Sequence, residues 1–141
     1  MGPRNENWKA RCEAGFFGQA AMRTLDVSIA SLEPGRVVLT MPFQPDFTQH
    51  HGFLHAGAVT TVLDSACGFA AFTLMPADAE VLTVEFKSNF LAPAKGKLFR
   101  FEGDVVKSGH TISVTQGRAY SDGVLISTMQ ATMMSVTAPL A

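Results

Sequence analysis

The stretch from Ala56 to about Leu74 is apolar or small on every side and carries one charged residue, Asp64. It is too long for a buried strand, so it predicts a helix that the rest of the protein encloses. The apolar character continues to Ala77, which is about the length of a membrane span, but a carboxylate near the middle of a span costs roughly 2.5 to 3.5 kcal/mol. We therefore expect a buried helix of a water-soluble fold and no membrane span.

Strand-like segments lie on both sides of this helix. Each is rich in β-branched or aromatic residues and is bounded by turn signals, of which Asp122-Gly123 is the strongest hairpin signal. Residues 5–24 carry apolar side chains at spacings of four, which predicts an N-terminal helix. The order predicts an α+β fold in which an antiparallel sheet wraps a long central helix. The predicted strands cover residues 25–32, 36–43, 81–91, 97–107, 110–120 and 124–136, the last four as consecutive antiparallel strands.

Composition argues against several classes of protein. With 141 residues, 47% hydrophobic and 16% charged, the chain predicts one globular domain over residues 1–141. A net charge of −1 without a Lys/Arg cluster disfavours nucleic acid and anionic membranes as partners. Cys12 and Cys67 lie far apart, which disfavours zinc ribbons, thioredoxin-type chemistry and a disulfide-rich secreted scaffold; we expect both in the core. Because the N-terminus also lacks the apolar region of a secretory signal, we expect a cytoplasmic protein.

Asp64 is the most informative residue for function. An unpaired buried carboxylate costs free energy, so its presence inside an apolar helix needs an explanation. One explanation is structural, with backbone or hydroxyl partners from Thr60, Thr61 or Ser65. The other, which we favour, is a carboxylate held in a cleft as a base or nucleophile.

The peptide His55-Ala56-Gly57 lies at the start of this helix, where backbone N–H groups lack partners and the helix dipole is positive. Such a terminus can polarise a carbonyl or hold an oxyanion; alternatively, His55 merely caps the helix. Nine residues of helix place His55 and Asp64 on opposite faces, about 13 Å apart along the axis. One chain therefore cannot bring both to one site. If both are catalytic, the site must be built across a symmetric dimer.

Other motifs favour neither a metal nor a cofactor. His51 and His55 are four residues apart, but Gly52 lies between them in a predicted loop and no carboxylate or Cys joins at ligand spacing. We expect His50 and His51 to line a loop or gate a substrate. The motifs of serine hydrolases, P-loop proteins and Rossmann folds do not occur.

The run from Phe47 to Gly57, followed by Leu63-Asp64 and Gly68, resembles the signature of hotdog-fold thioesterases of the phenylacetic-acid-degradation (PaaI-like) group, approximately N-x-x-G-x-x-H-G-G-x-x-x-x-L-x-D. Residues 90–96 look like the family's strand-to-turn segment. The hotdog fold is a long central helix wrapped by an antiparallel sheet, which agrees with the fold expected from the pattern of elements.

This resemblance implies hydrolysis of acyl-coenzyme A thioesters, with Asp64 as general base or nucleophile. The Ala56 N–H would bind the thioester oxygen and His55 would orient the site. Gln49 matches an Asn that helps to place water or the carbonyl, and Thr83 matches a Ser or Thr near the leaving thiolate or the acyl group. The chain departs from the family in having Gln49 for Asn and Ala56 for the first Gly of the Gly pair.

Three further residues are expected to contact substrate. Gly57 belongs to the helix start, and His50 lies in the preceding loop. Lys95 lies in a turn where, with other basic residues near turns, it could meet the phosphates of coenzyme A. The family also implies a homodimer with sheets side by side, and commonly a homotetramer of two dimers.

Two other functions remain open at this point. A non-catalytic acyl-CoA-binding or sensing module would keep the pocket without the catalytic carboxylate, and a transcriptional sensor would normally carry an added DNA-binding segment. A hotdog enoyl-CoA hydratase or dehydratase usually has a His just downstream of its Asp, whereas no His follows Asp64 until His110.

Overall fold

A computed structural model of the chain describes residues 1–137 and 139–140. It contains the predicted long helix and six strands, with their ends shifted by a few residues from the sequence-based bounds. The helices are α1 (Trp8–Phe17), α2 (Ala20–Thr24) and α3 (Ala56–Phe72), and a short 3-10 turn covers Pro45–Phe47. The strands are β1 (Ser28–Glu33), β2 (Arg36–Pro42), β3 (Glu80–Phe90), β4 (Leu98–Ser108), β5 (Ile112–Ser121) and β6 (Val124–Val136).

The strands form one antiparallel sheet in the order β1-β2-β4-β5-β6-β3, and α3 packs against its inner face. The Asp122-Gly123 hairpin is confirmed, with φ of 44° and 84° at the two turn residues, as its β5–β6 connection requires. The last four strands follow one another along the chain and are antiparallel, as expected, but β3 and β4 are not neighbours in the sheet. The segment between them crosses to the other side of the sheet, so β3 pairs with β6 and forms an edge of the sheet.

The start of β4 is fixed by a side chain from the distant β5–β6 turn. The Asp122 carboxylate accepts hydrogen bonds from the backbone N–H groups of Lys97 and Leu98, both at 3.0 Å. These bonds hold the pKa of Asp122 below its usual value, since they stabilise the charged form. This long-range contact, which residue spacing does not reveal, places β4 beside β5 rather than beside β3.

Two glycines let α3 approach the centre of the sheet. Gly103 of β4 pairs directly with Gly117 of β5. A Cβ at Gly103 would come within 2.3 Å of the Ala66 carbonyl oxygen, and one at Gly117 within 2.9 Å of the Cys67 sulfur. The backbone of α3 therefore rests on the sheet where no side chain intervenes, which fixes the rotation of the helix and thus the direction in which Asp64 points.

The predicted N-terminal helix over residues 5–24 is two helices. Gly18 ends α1, and Gln19 takes an extended conformation before α2 begins. Glycine is a poor helix former, so the break falls where the sequence is weakest. The buried stripe is nevertheless present, because Cys12 and Phe16 are buried.

Both cysteines lie in the core, as expected. Burial raises the pKa of the Cys12 and Cys67 thiols to about 12, so neither is a thiolate nucleophile near neutral pH. In the described part of the chain, α3 and the other helices are too short or too polar to cross a membrane.

Candidate active site

Asp64 lies on a side of α3 that the other described residues cover only in part. The prediction that this helix is enclosed all round is therefore wrong at this face. The side chain is half-buried and borders a groove of about 570 Å³ between α1, α3 and the start of β3. A groove beside the carboxylate, rather than solid packing, leaves room for a ligand at this position.

Among the residues that the structure describes, one hydroxyl group donates to the Asp64 carboxylate. Thr83, on β3, donates a hydrogen bond from Oγ1 to Asp64 Oδ1 at 2.8 Å. The local partners considered from the sequence are engaged elsewhere. Thr60 and Thr61 donate to the carbonyls of Ala56 and Gly57, both at 2.8 Å, and Ser65 donates to the Gln19 side chain at 3.2 Å.

Burial raises the pKa of Asp64 above its ordinary value, and the hydrogen bond from Thr83 opposes that shift. Desolvation disfavours the charged carboxylate, whereas a donor stabilises it. A carboxylate with a raised pKa is a stronger base than one in water, while a single hydrogen bond keeps it oriented. The pair has the chemistry needed to take a proton from a water molecule in the groove.

His55 is the N-cap of α3. Its extended backbone turns the chain into the helix, and its Nδ1 accepts the Gly57 N–H at 2.8 Å. The His55 N–H is also used, since it donates to the Phe47 carbonyl at 2.8 Å. Two of the three N–H groups that we expected to be unpaired are therefore satisfied, and Gly57 offers no free backbone donor.

The Ala56 N–H is the remaining group at this helix start, and it has no acceptor among the described residues. It points away from the helix at its positive end, where the residue is exposed to solvent. Because His55 Nδ1 is an acceptor, the neutral imidazole carries its proton on Nε2. The helix start thus presents one backbone donor held in place by the His55 cap.

Gln49 organises the loop before α3. Its Oε1 accepts the N–H groups of His51 at 2.6 Å and Phe53 at 3.2 Å, so the side-chain carbonyl is committed to the loop. The amide Nε2 has no acceptor in the described chain. Gln49 and Ala56 line the same cavity of about 260 Å³, which the Phe90 end of β3 also borders.

His50 and Lys95 lie outside the grooves that contain these groups. His50 is exposed and its ring centroid lies 4.0 Å from that of His51. Lys95 is exposed in the turn before β4, beside a cavity that shares Ala92, Pro93 and Ile126 with the Gln49–Ala56 cavity. Within the described ranges, no group of three His, Cys, Asp or Glu side chains could hold a metal ion.

The structure thus brings the predicted site residues together in two separate groups. Asp64 and Thr83 form one group, and Gln49, His55 and Ala56 form the other. Two residues that line the Asp64 groove, Arg11 and Gln19, were not among the predicted site residues. No sequence signal identifies Gln19. Arg11 lies four residues before Gly15, so both are on one face of α1, and this spacing is the signal that could have placed Arg11 at the groove.

Comparisons with known proteins agree with this arrangement. The sequence profile of the Thioesterase superfamily matches residues 51–127, more than half of the chain. A crystal structure of a thioesterase family protein from Silicibacter pomeroyi is 51% identical, with a TM-score of 0.91, and the match covers 93% of this chain and 99% of that one. The Escherichia coli PaaI protein of the phenylacetic acid degradation operon shares the fold, with a TM-score of 0.85 at 16% identity over 92% of this chain and 94% of that chain.

The matches to curated relatives cover shorter regions. A Saccharolobus solfataricus protein is 39% identical over 92 residues, which are 65% of each chain. Its name describes it as an esterase by inference. A Halobacterium salinarum protein with the same kind of name is 31% identical over 97 residues, 65% of this chain and 64% of that protein. The matched region thus spans less than two thirds of the length of these relatives.

The family predicted from the motif around Asp64 and the fold predicted from the order of elements are both confirmed. The chain belongs to the Thioesterase superfamily and has the hotdog fold of its PaaI-like members.

Proposed function

We propose that this protein hydrolyses acyl-coenzyme A thioesters to a free acid and coenzyme A. The observation that carries the proposal is the Asp64–Thr83 pair, a half-buried carboxylate with a raised pKa in an open groove. Membership of the Thioesterase superfamily supports thioester hydrolysis as the reaction. The proposal further specifies that the thiol is coenzyme A and that two subunits build each site.

The edge strand β3 supports the two-subunit site. Its outer edge has no partner strand in the described chain, so its backbone groups are free to pair with a second copy. In an antiparallel pair related by a two-fold axis, the start of each strand lies opposite the end of the other. An axis between Phe86 and Lys87 would place Thr83 of one subunit opposite the Phe90 end of the partner strand.

That pairing unites the two groups of residues. Phe90 borders the Gln49–Ala56 cavity, and Thr83 holds Asp64. The carboxylate of one subunit therefore faces the helix start of the other across the new interface. Two such sites form in each dimer, and two dimers assemble into the homotetramer that the family commonly forms.

In this composite site the thioester oxygen accepts the Ala56 N–H, and the free Gln49 amide is available as a second donor. Asp64 of the other subunit takes a proton from water as the water oxygen bonds to the carbonyl carbon. The tetrahedral intermediate then expels the coenzyme A thiolate as the carbon–sulfur bond breaks. In the nucleophilic alternative, an Asp64 oxygen adds to the carbonyl carbon, the carbon–sulfur bond breaks as the coenzyme A thiolate leaves, and water then hydrolyses the resulting anhydride. In this proposal His55 orients the helix start in either case, and Lys95, exposed beside the adjoining cavity, contacts the phosphates of coenzyme A.

The test is thiol release from short, medium, long-chain and aromatic acyl-CoAs, followed with a chromogenic thiol reagent. Wild type is compared with Asp64→Asn, which removes the charge and keeps the volume. We expect wild-type turnover and loss of most turnover in the variant, with folding and oligomeric state unchanged. Full activity in Asp64→Asn would refute the mechanism, and tight acyl-CoA binding without turnover by wild type would favour the binding or sensing module.

A further inference from the structure

The groove beside Asp64 continues past the carboxylate, away from the proposed dimer axis. One face of α3 forms its floor, with residues one turn apart at Asp64, Gly68 and Phe72. Helix α1 forms one wall and the start of β3 forms the other. A volume of about 570 Å³ is within the usual range for a small-molecule site. The groove is therefore larger than a water molecule and a carbonyl group require.

The side chains change in character along the groove. The middle section is lined by small residues and one aromatic ring, namely Ala14, Gly15, Gly68 and Phe69, and a Cβ at Gly15 would lie 3.3 Å from that ring. A Cβ added at Gly68 would make an ordinary van der Waals contact with the Met133 sulfur at 3.9 Å, so the groove floor carries no side chain at this position. These four residues carry no polar side-chain atom, as an apolar chain entering from the Asp64 end requires.

An ion pair closes the far end. Arg11 Nη2 lies 2.9 Å from Glu80 Oε1, and the guanidinium stacks 4.8 Å from the centroid of the Phe72 ring. Arg11 Nη1 also donates to the Pro76 carbonyl at 3.1 Å. Three contacts to separate elements position this side chain at the end of the groove.

We propose that this groove holds the acyl group of the substrate and that the Arg11–Glu80 pair limits it to about eight carbons. This assignment rests on the proposed thioesterase function. From Asp64 to Phe72, eight residues of helix rise about 12 Å, and from Thr83 to Glu80 three residues of strand span about 10 Å. A carbon–carbon bond of about 1.5 Å advances an extended chain by about 1.3 Å, so either length accommodates about eight carbons.

Charge in the groove selects uncharged acyl groups. Glu80 neutralises Arg11 at the far end, and the Asp64 carboxylate stands at the near end. A terminal carboxylate on the acyl chain would meet no free cation and would be repelled by these acids. The substrate class is therefore a neutral, medium-length acyl thioester.

The test measures kcat/KM for straight-chain acyl-CoAs from butanoyl to dodecanoyl in three proteins. Wild-type kcat/KM is expected to rise up to about fourfold per methylene as far as octanoyl and to level off beyond it. Ala14→Leu, which fills the middle section, is expected to lower the octanoyl-to-butanoyl ratio about tenfold or more. Ala10→Leu is the matched control, because Ala10 is an exposed alanine of the same helix outside the groove lining.

A flat wild-type profile, or the same profile in Ala14→Leu and Ala10→Leu, would overturn the assignment. Binding of butanoyl-CoA and octanoyl-CoA to Asp64→Asn separates this outcome from failure of the proposed function. If no acyl-CoA is hydrolysed but octanoyl-CoA binds more tightly and Ala14→Leu removes that preference, the groove assignment stands and the hydrolase proposal fails. Equal binding of both ligands would contradict the groove assignment whether or not the protein is a hydrolase.

Discussion

The centre of the sheet and its β3 edge differ in how their side chains are buried. In β4 and β5, buried and exposed residues alternate, and the buried ones pack under α3. In β3, almost every residue is exposed, including Val84 at 55% and Phe86 at 43%. The centre is complete within one chain, whereas the edge presents apolar side chains and a backbone edge that no other described strand pairs with. The proposed catalytic Thr83 lies on the incomplete strand.

The largest effect is expected from a charge placed on that edge. Val84 is the bulged residue of β3, outside the register with β6, so Val84→Lys should leave the fold of one chain intact. It should prevent pairing with a second copy and abolish turnover, because a monomer contains no complete site. Light scattering coupled to size exclusion, with the thiol-release assay, measures both effects.

The matched control is Val106→Lys. Val106 is the bulged residue of β4 and is 52% exposed, so the two substitutions are alike in strand context. We expect Val106→Lys to keep the wild-type mass and turnover. Equal behaviour of the two variants would show that β3 is not the interface.

The next effect concerns the free N–H at the helix start. Ala56 occupies the first position of α3, where proline is tolerated, and His55 already has the extended backbone that a following proline requires (φ −60°, ψ 139°). Ala56→Pro therefore removes the N–H donor with little effect on the fold. We expect kcat/KM to fall about 100-fold or more, as for loss of one oxyanion donor. Unchanged kinetics, at an unchanged melting temperature, would exclude the oxyanion role.

A substitution at the centre of the sheet should lower the free energy of unfolding rather than the turnover. Gly103→Ala places a Cβ against the α3 backbone, so we expect a loss of about 3 kcal/mol in the free energy of unfolding, measured by urea denaturation. Gly68→Ala is the comparison, because its Cβ meets nothing within 3.9 Å and alanine favours the helix. If Gly103→Ala is as stable as wild type, α3 is not held by the glycine contact.

The smallest effect concerns pH. The Thr83 hydroxyl stabilises charged Asp64 and so lowers its pKa, whereas burial raises it. Thr83→Val removes the opposing hydrogen bond, so the pKa should rise further and the acid limb of the kcat/KM profile should move to higher pH. Thr83→Ser keeps a hydroxyl and should restore the wild-type profile. Movement of the limb to lower pH in Thr83→Val would contradict this assignment of the base.

Sequence alone predicted the elements but not how they are joined. Residue periodicity is local, so it located α3 and the six strands, and it placed Asp64 and His55 on opposite faces. It could not show that β3 pairs with β6, because strand order depends on long-range contacts such as that of Asp122 with the start of β4. Likewise, the use of the Gly57 N–H by His55 Nδ1 depends on a side-chain orientation that spacing does not specify.

The central claim is that each site takes Asp64 from one subunit and Ala56 from the other, and co-expression of two inactive variants tests it most directly. When equal amounts of the Asp64→Asn chain and the Ala56→Pro chain pair at random, half of the dimers contain one chain of each kind. Each of these mixed dimers has one composite site with both wild-type residues. The account predicts recovery of about one quarter of wild-type turnover. Turnover no higher than that of the separate variants, in a sample shown to contain mixed dimers, would contradict it.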